Sequence, residues 1–144
     1  MSPSKHLRGA ALLAVLLATS TWACSQVAVV VGQNSAVTSM TADQVASVFL
    51  GKSKALPNGA AAAPVDQPES TAIRGYFYKK LTGMDPAQVK ASWARMVFTG
   101  KAAPPRAVAD STAVKWFVAN NPGAIGYIEN SAVDASVRVV LAIP

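Results

Sequence analysis

Eight residues near the C-terminal end, Asn121-Pro122-Gly123-Ala124-Ile125-Gly126-Tyr127-Ile128, constrain the fold more than any others. They follow a short amphipathic stretch and run directly into an apolar one. Pro122 and Gly123 end a helix, because proline cannot continue one and glycine accepts the left-handed backbone that closes a last turn. Gly126 interrupts the apolar run, and a missing side chain there signals a close backbone approach or a bulge. The segment offers no catalytic chemistry and therefore marks an architecture.

The same alternation of apolar strands and amphipathic helices runs through the chain. Val27 to Val31 is a β-branched run ended by Gly32, which predicts a fully buried strand in a sheet covered on both faces. Gln33, Asn34 and Ser35 make a polar loop after it. Thr41 with Gln44 three residues on forms a capping box, and Ala42, Val45, Val48 and Phe49 supply an apolar helix face that ends at Gly51. Pro57-Asn58-Gly59 predicts a turn, and Ala60 to Val65 a short strand. Asp66 to Thr71 reads as a polar loop that opens a helix with Ile73, Phe77 and Leu81 on one face, stopped by Gly83.

Asp85, Pro86 and Gln88 start another helix, with Val89, Trp93, Met96 and Val97 as its core face. An extended linker through Pro104 and Pro105 leads to a helix capped by Asp110 or Ser111. Ala113, Val114, Phe117 and Val118 form that helix's apolar face. Val137 to Leu141 closes the chain as a strand. Helices regularly separating strands predict a layered α/β sandwich, with a mixed, mostly parallel sheet and helices on both faces.

The first two dozen residues follow a different plan. Lys5 and Arg8 precede an apolar run from Gly9 to Ala18, and small residues lead to Ala23, Cys24 and Ser25. This is the three-part pattern of a secretory signal, so residues 1–24 are expected to be a leader and 25–144 one exported domain; a permanent anchor helix is the alternative. Cys24 after a small residue admits a lipoprotein reading, but Thr21 and Trp22 stand where that processing site favours a leucine-like and a small residue. Cys24 is the only cysteine, so no disulfide forms within the chain.

What the chain lacks narrows its chemistry. His6 is the only histidine and belongs to the leader, which removes histidine-based nucleophiles and a structural zinc site from the domain. No cofactor, no metal and no enzyme activity are expected. Gly51-Lys52-Ser53 shares three letters with a phosphate-binding loop but follows a helix and lacks the earlier glycine. Without Lys5 and Arg8 the chain carries 11 basic against 7 acidic side chains, net +4, which favours anions or an anionic surface. No basic block interleaved with aromatics suggests nucleic acid.

Phe49-Leu50-Gly51-Lys52, Leu56 to Gly59, Val65, the helix start at Ser70-Thr71 and Pro122 to Tyr127, in this order, resemble one lobe of the phosphate-binding proteins that serve phosphate ABC transporters, a type II periplasmic binding-protein family. The resemblance covers most of residues 27–130. It implies an exported receptor for inorganic phosphate or a similar oxyanion, periplasmic or secreted, that meets an ABC transporter permease. Members close two lobes around the ligand, so a second lobe or a homodimer would have to complete this one. The family's anion loop carries an arginine and then Ser-Gly-Thr; here it reads Gln67-Pro68-Glu69-Ser70-Thr71-Ala72.

The resemblance implies that Ser70, Thr71 and Ala72 hold the anion, assisted by Arg74, because backbone donors and the dipole at a helix start attract an oxyanion. The bland reading of Ser70 is a simple helix cap. That of Arg74 is a surface pair with Asp66 or Glu69. Asn34, Ser35 and Gln67 are possible cleft-loop residues, since open α/β sheets bind ligands beyond strand ends; ordinary turn chemistry also accounts for them. Asp66 and Glu69 could be read as an acid–base pair, but no nucleophile or electrophile accompanies them. Lys79 and Lys80 read as a wet helix face, and Trp93, Trp116, Tyr76 and Tyr78 as core or half-buried aromatics. The alternative function is an interaction module that kept the fold and lost the anion site, with a contact patch near Tyr76 and Tyr78.

Overall fold

The structure is a computed structural model that describes residues 26–144; the expected leader and Cys24 lie outside the described residues. In chain order the elements are β1 (Val27–Gly32), α1 (Ala42–Phe49), β2 (Ala63–Asp66), α2 (Ala72–Thr82), α3 (Pro86–Phe98), β3 (Arg106–Ala107), α4 (Ser111–Asn120), β4 (Ala124–Glu129) and β5 (Val137–Ile143). Among them no helix is long and apolar enough to cross a membrane.

The strands form one sheet in the order β3-β2-β4-β1-β5. β2 is parallel to β3 and to β4, while β1 is antiparallel to both β4 and β5. Four strands therefore point one way and β1 alone opposes them: a mixed, mostly parallel sheet, as expected. β1 lies between β4 and β5 and is covered on both faces, which is why its apolar run is buried from Val27 to Val31.

Alternate residues of the sheet feed two cores. Val29, Val31, Ile125 and Tyr127 meet α1, α2 and α3 through Phe49, Phe77, Tyr78, Val89 and Trp93. Ala28, Val30, Val65 and Ile128 meet α4 through Val114 and Val118. The helices thus cover both faces. Phe77 stacks on Tyr127 with ring centroids 3.9 Å apart, and the Phe49 ring meets Phe77 edge-on at 4.9 Å. Trp93 Nε1 donates to the Phe49 carbonyl at 3.1 Å, which ties α3 to the end of α1.

The helix starts follow their caps. Thr41–Gln44 and Asp85–Gln88 form reciprocal capping boxes, and Asp110 accepts from the Ala113 amide at 2.9 Å. Ala42 and Val97, expected on apolar helix faces, are exposed, Val97 because the last turn of α3 runs past the core.

The Pro-Gly-Ala-Ile-Gly-Tyr segment now has a physical reason for each glycine. Gly123 has φ +79°, and a Cβ there would lie 2.2 Å from the Ala61 carbonyl oxygen. The tightness arises where β2 and β4 begin side by side, with Ala63 donating its amide to the Gly123 carbonyl at 2.9 Å. Gly126 faces α4, and a Cβ would meet Val114 Cγ1 at 2.5 Å. Tyr127 points to the other face and into the core.

Gly123→Ala is expected to lower stability by about 2–3 kcal/mol, since it adds a strained backbone and a backbone clash. Gly75→Ala, inside α2 with open space around it, is expected to raise stability by about 0.5–1 kcal/mol. Urea unfolding midpoints of the two variants read the difference.

Candidate functional site

Because four strands share one direction, their C-terminal ends share one edge of the sheet. α2 begins there after β2, and α4 begins there after β3. Gln67 bridges the two loops: its Nε2 donates to Ser111 Oγ at 3.2 Å and to the Tyr127 carbonyl at 3.0 Å. Ser111 Oγ donates in turn to the Glu129 carboxylate.

Behind this edge Asp66, the last residue of β2, is buried at 4 % exposure. Its Oδ1 accepts from the Gln67 amide at 2.8 Å and from the Tyr127 hydroxyl. Its Oδ2 accepts from the Tyr78 hydroxyl at 2.7 Å and from Arg74 Nε at 3.3 Å. The Arg74 guanidinium also lies 4.9 Å from the centre of the Tyr78 ring. Burial, then the charge of Asp66 and its hydrogen bonds, push the hydroxyls of Tyr78 and Tyr127 far above the ordinary tyrosine value.

This arrangement corrects several expectations. Arg74 does pair with Asp66, but as a largely buried strut and not a surface pair, because β2 delivers the carboxylate beneath the first turn of α2. Gln67 is buried and fastened to its neighbours, so it is no open cleft residue. Asp66 has its oxygens filled by four donors while Glu69 is exposed and absent from its partners, so the two do not form an acid–base pair. Tyr78 is buried and Tyr76 half-buried, which removes the patch expected around them; Trp116, expected in or near the core, is exposed at 66 % on the outer side of α4.

The start of α2 differs from the other helix starts. Its N-cap is Thr71, not Ser70, and the Thr71 hydroxyl turns back to donate to the Pro68 carbonyl at 2.7 Å. No side chain caps the helix, and the first intrahelical bond reaches Gly75. The amides of Ala72, Ile73 and Arg74 are thus left without protein acceptors among the described residues. Ser70 and Ala72 are exposed beside them, the Thr71 side chain is half-buried and that of Arg74 largely buried. The structure brings Ser70, Thr71, Ala72 and Arg74 together at one helix start.

Asn34 and Ser35 do not join them. β1 runs against the other strands, with Val31 opposite Ile125 and Gly32 opposite Val137, so the loop after β1 emerges at the far edge of the sheet. Carboxyl ends of strands share an edge only when the strands share a direction.

The sequence offered the Arg74–Asp66 pair, but not its burial or the two tyrosine hydroxyls that join it. The only further signal there is an aspartate closing an apolar strand, with an arginine eight residues later on the following helix.

No protein-family profile matches the chain, and no curated protein matches it in sequence. Solved structures share its fold. A protein of Clostridium perfringens assigned as a phosphate ABC transporter substrate-binding protein, solved with bound phosphate, superposes with a TM-score of 0.65 and 23% identity, covering 80% of this chain and 44% of that one. An ABC-type phosphate transport receptor of Vibrio cholerae gives 0.62 and 23%, covering 80% and 45%. PstS of Borrelia burgdorferi gives 0.62 and 13%, covering 82% and 47%. The chain spans less than half the length of these proteins and has the fold of one of their lobes.

Asp66→Ala is expected to destabilise by about 3–5 kcal/mol, because it strands Arg74 and two buried hydroxyls together. Arg74→Ala should cost less, since Asp66 keeps three donors. Denaturant unfolding of both variants checks the order.

The raised tyrosines stabilise the fold fully below pH 10, the ordinary tyrosine value, and that contribution is lost as pH rises above it. Absorbance at alkaline pH should therefore show Tyr78 and Tyr127 ionising only together with unfolding.

Proposed function

We propose that this chain is an exported oxyanion-binding lobe that takes inorganic phosphate, or an anion of similar shape, at the start of α2. The observation that carries the reading is a helix start on the carboxyl edge of the sheet whose own cap hydroxyl looks away, leaving three amides for a ligand. The Ser70 hydroxyl adds a donor, Thr71 contributes its place at the N-cap while its hydroxyl stays on the Pro68 carbonyl, and Arg74 brings positive charge to the first turn. The net charge outside the leader favours the same ligand class. The fold-level likeness to phosphate-binding proteins, one of them holding phosphate, supports it. The function is binding, without catalysis.

A single lobe supplies one wall of a cleft, so affinity in isolation is millimolar, about 4 kcal/mol. A second lobe or a second copy would complete the wall, and an ABC transporter permease is the natural recipient. The leader would place residues 25–144 in the periplasm or outside the cell, with Cys24 as a lipid anchor where lipoprotein processing operates.

Two observations favour a second reading, an interaction module without a ligand. Arg74 is already held by Asp66, and Phe98 stands 93 % exposed beside Val97 at the end of α3. In that reading α3, and not Tyr76 and Tyr78, meets a protein partner.

Thr71→Asp separates the two. An aspartate N-cap fills the amides of α2 with its own carboxylate and stabilises the helix by up to about 1 kcal/mol. Calorimetric titration of phosphate at low ionic strength is expected to give saturable heat in the parent and none in the variant. A flat trace from the parent supports the interaction module instead.

A further inference from the structure

At the opposite edge of the sheet lies a concavity of about 610 Å³, within the range of small-molecule sites. Four segments build it: the loop after β1, the turn before β2, the end of α4 with the segment leading to β4, and Ser136 just before β5. Asn34, Asn58, Asn120 and Asn121 line it, four of the chain's five asparagines, with Gln33 beside them. No lysine, arginine, aspartate or glutamate lines it.

Three of these carboxamides are held by one end. Asn58 Oδ1 accepts from the Ala60 amide at 3.1 Å. Asn120 and Asn121 donate through Nδ2 to the Trp116 and Phe117 carbonyls at 2.7 and 2.8 Å. Their other ends, Asn58 Nδ2 and the two Oδ1 atoms, are left for a ligand. The side chains of Gln33 and Asn34 are exposed and make no hydrogen bond among the described residues, so both offer donors and acceptors. The last turn of α4 ends at the same place and adds its negative dipole end.

The charges next to the groove are engaged elsewhere: Arg138 donates to the Ser35 carbonyl at 2.7 Å, and the Asp134 carboxylate accepts from Ser136 and pairs with Lys115 at 2.8 Å. An anion would meet the wrong end of a helix, and no unpaired carboxylate lines the groove for an organic cation. Val118, Ala60 and Pro122 supply an apolar floor between the amides, the combination that suits a molecule with C–H faces and hydroxyls around its rim.

We propose that this groove binds a neutral polyhydroxylated ligand, of mono- or disaccharide size, at a site separate from the start of α2. Carboxamides held at one end lose little freedom when their other end engages hydroxyls, and each hydroxyl can both donate and accept.

The test is a titration of the ¹⁵N-labelled full chain with cellobiose, maltose and N-acetylglucosamine, up to about 100 mM, since few contacts imply millimolar affinity. Saturable shifts are expected at the side-chain amides of Asn58, Asn120 and Asn121 and at the backbone of Gly32 and Gly123, for at least one sugar. A Gln33→Ala, Asn34→Ala double variant removes side chains that support nothing in the fold. It should keep the parent spectrum and weaken that binding at least about fivefold. Absence of saturable shifts with all three sugars overturns the proposal, as do unchanged affinity in the double variant or equal shifts with phosphate. Loss of phosphate binding at α2 leaves these readouts untouched, so the two sites fail independently.

Discussion

A carboxylate sunk at the end of β2 takes donors from the following loop, from α2 and from β4, and the arrangement of the sheet's carboxyl edge depends on that convergence. A buried charge is tolerated only when it is paired and hydrogen-bonded, so Asp66 cannot release a partner cheaply. Tyr127 must reach it from the next strand, and Gly126 lets α4 settle against that strand from the other face. Arg74 must reach it from the first turn of α2, which sets the direction of the helix start. Ser70, Thr71 and Ala72 at that helix start are therefore positioned by a charge beneath them.

The same convergence creates a tension in Arg74. Its Nε is committed to Asp66, while the family-like reading asks the guanidinium to meet an anion. A guanidinium has five donors, so one nitrogen can brace the fold while the others face a ligand. The neighbouring backbone amides need no such division, because a helix start has no other use for them.

Strand direction divides the remaining loops. β1 opposes its neighbours, so the polar loop after it joins the Pro57-Asn58-Gly59 turn and the end of α4 at the far edge of the sheet. One edge has the starts of α2 and α4 around the buried Asp66, and the other has the end of α4 and a cluster of neutral amides, with Arg138 and Asp134 bonded to the loops beside them. The two groups of loops thus meet different helix ends and present different chemistry to solvent.

Much of the architecture was legible in the residues themselves. The capping boxes at Thr41 and Asp85, the buried run at Val27 to Val31 and the glycines at 123 and 126 each act through their nearest neighbours in the chain, or through an absence of side chain that any packing must use. Burial and partnership were not local. Phe49-Leu50-Gly51-Lys52 and Phe98-Thr99-Gly100-Lys101 end their helices alike, yet Phe49 is wholly buried and Phe98 almost wholly exposed. The orientation of Asn34 and Ser35, the burial of Asp66 and Gln67, and the choice of Thr71 over Ser70 as a cap were likewise decided by tertiary structure. Local sequence determined where strands and helices begin and end, because caps, turns and apolar periodicity act over a few residues. Only the folded chain decided which loops share an edge and which charges are buried, because those depend on strand order and direction, set by contacts between residues such as Asp66 and Tyr127 that lie far apart in the sequence.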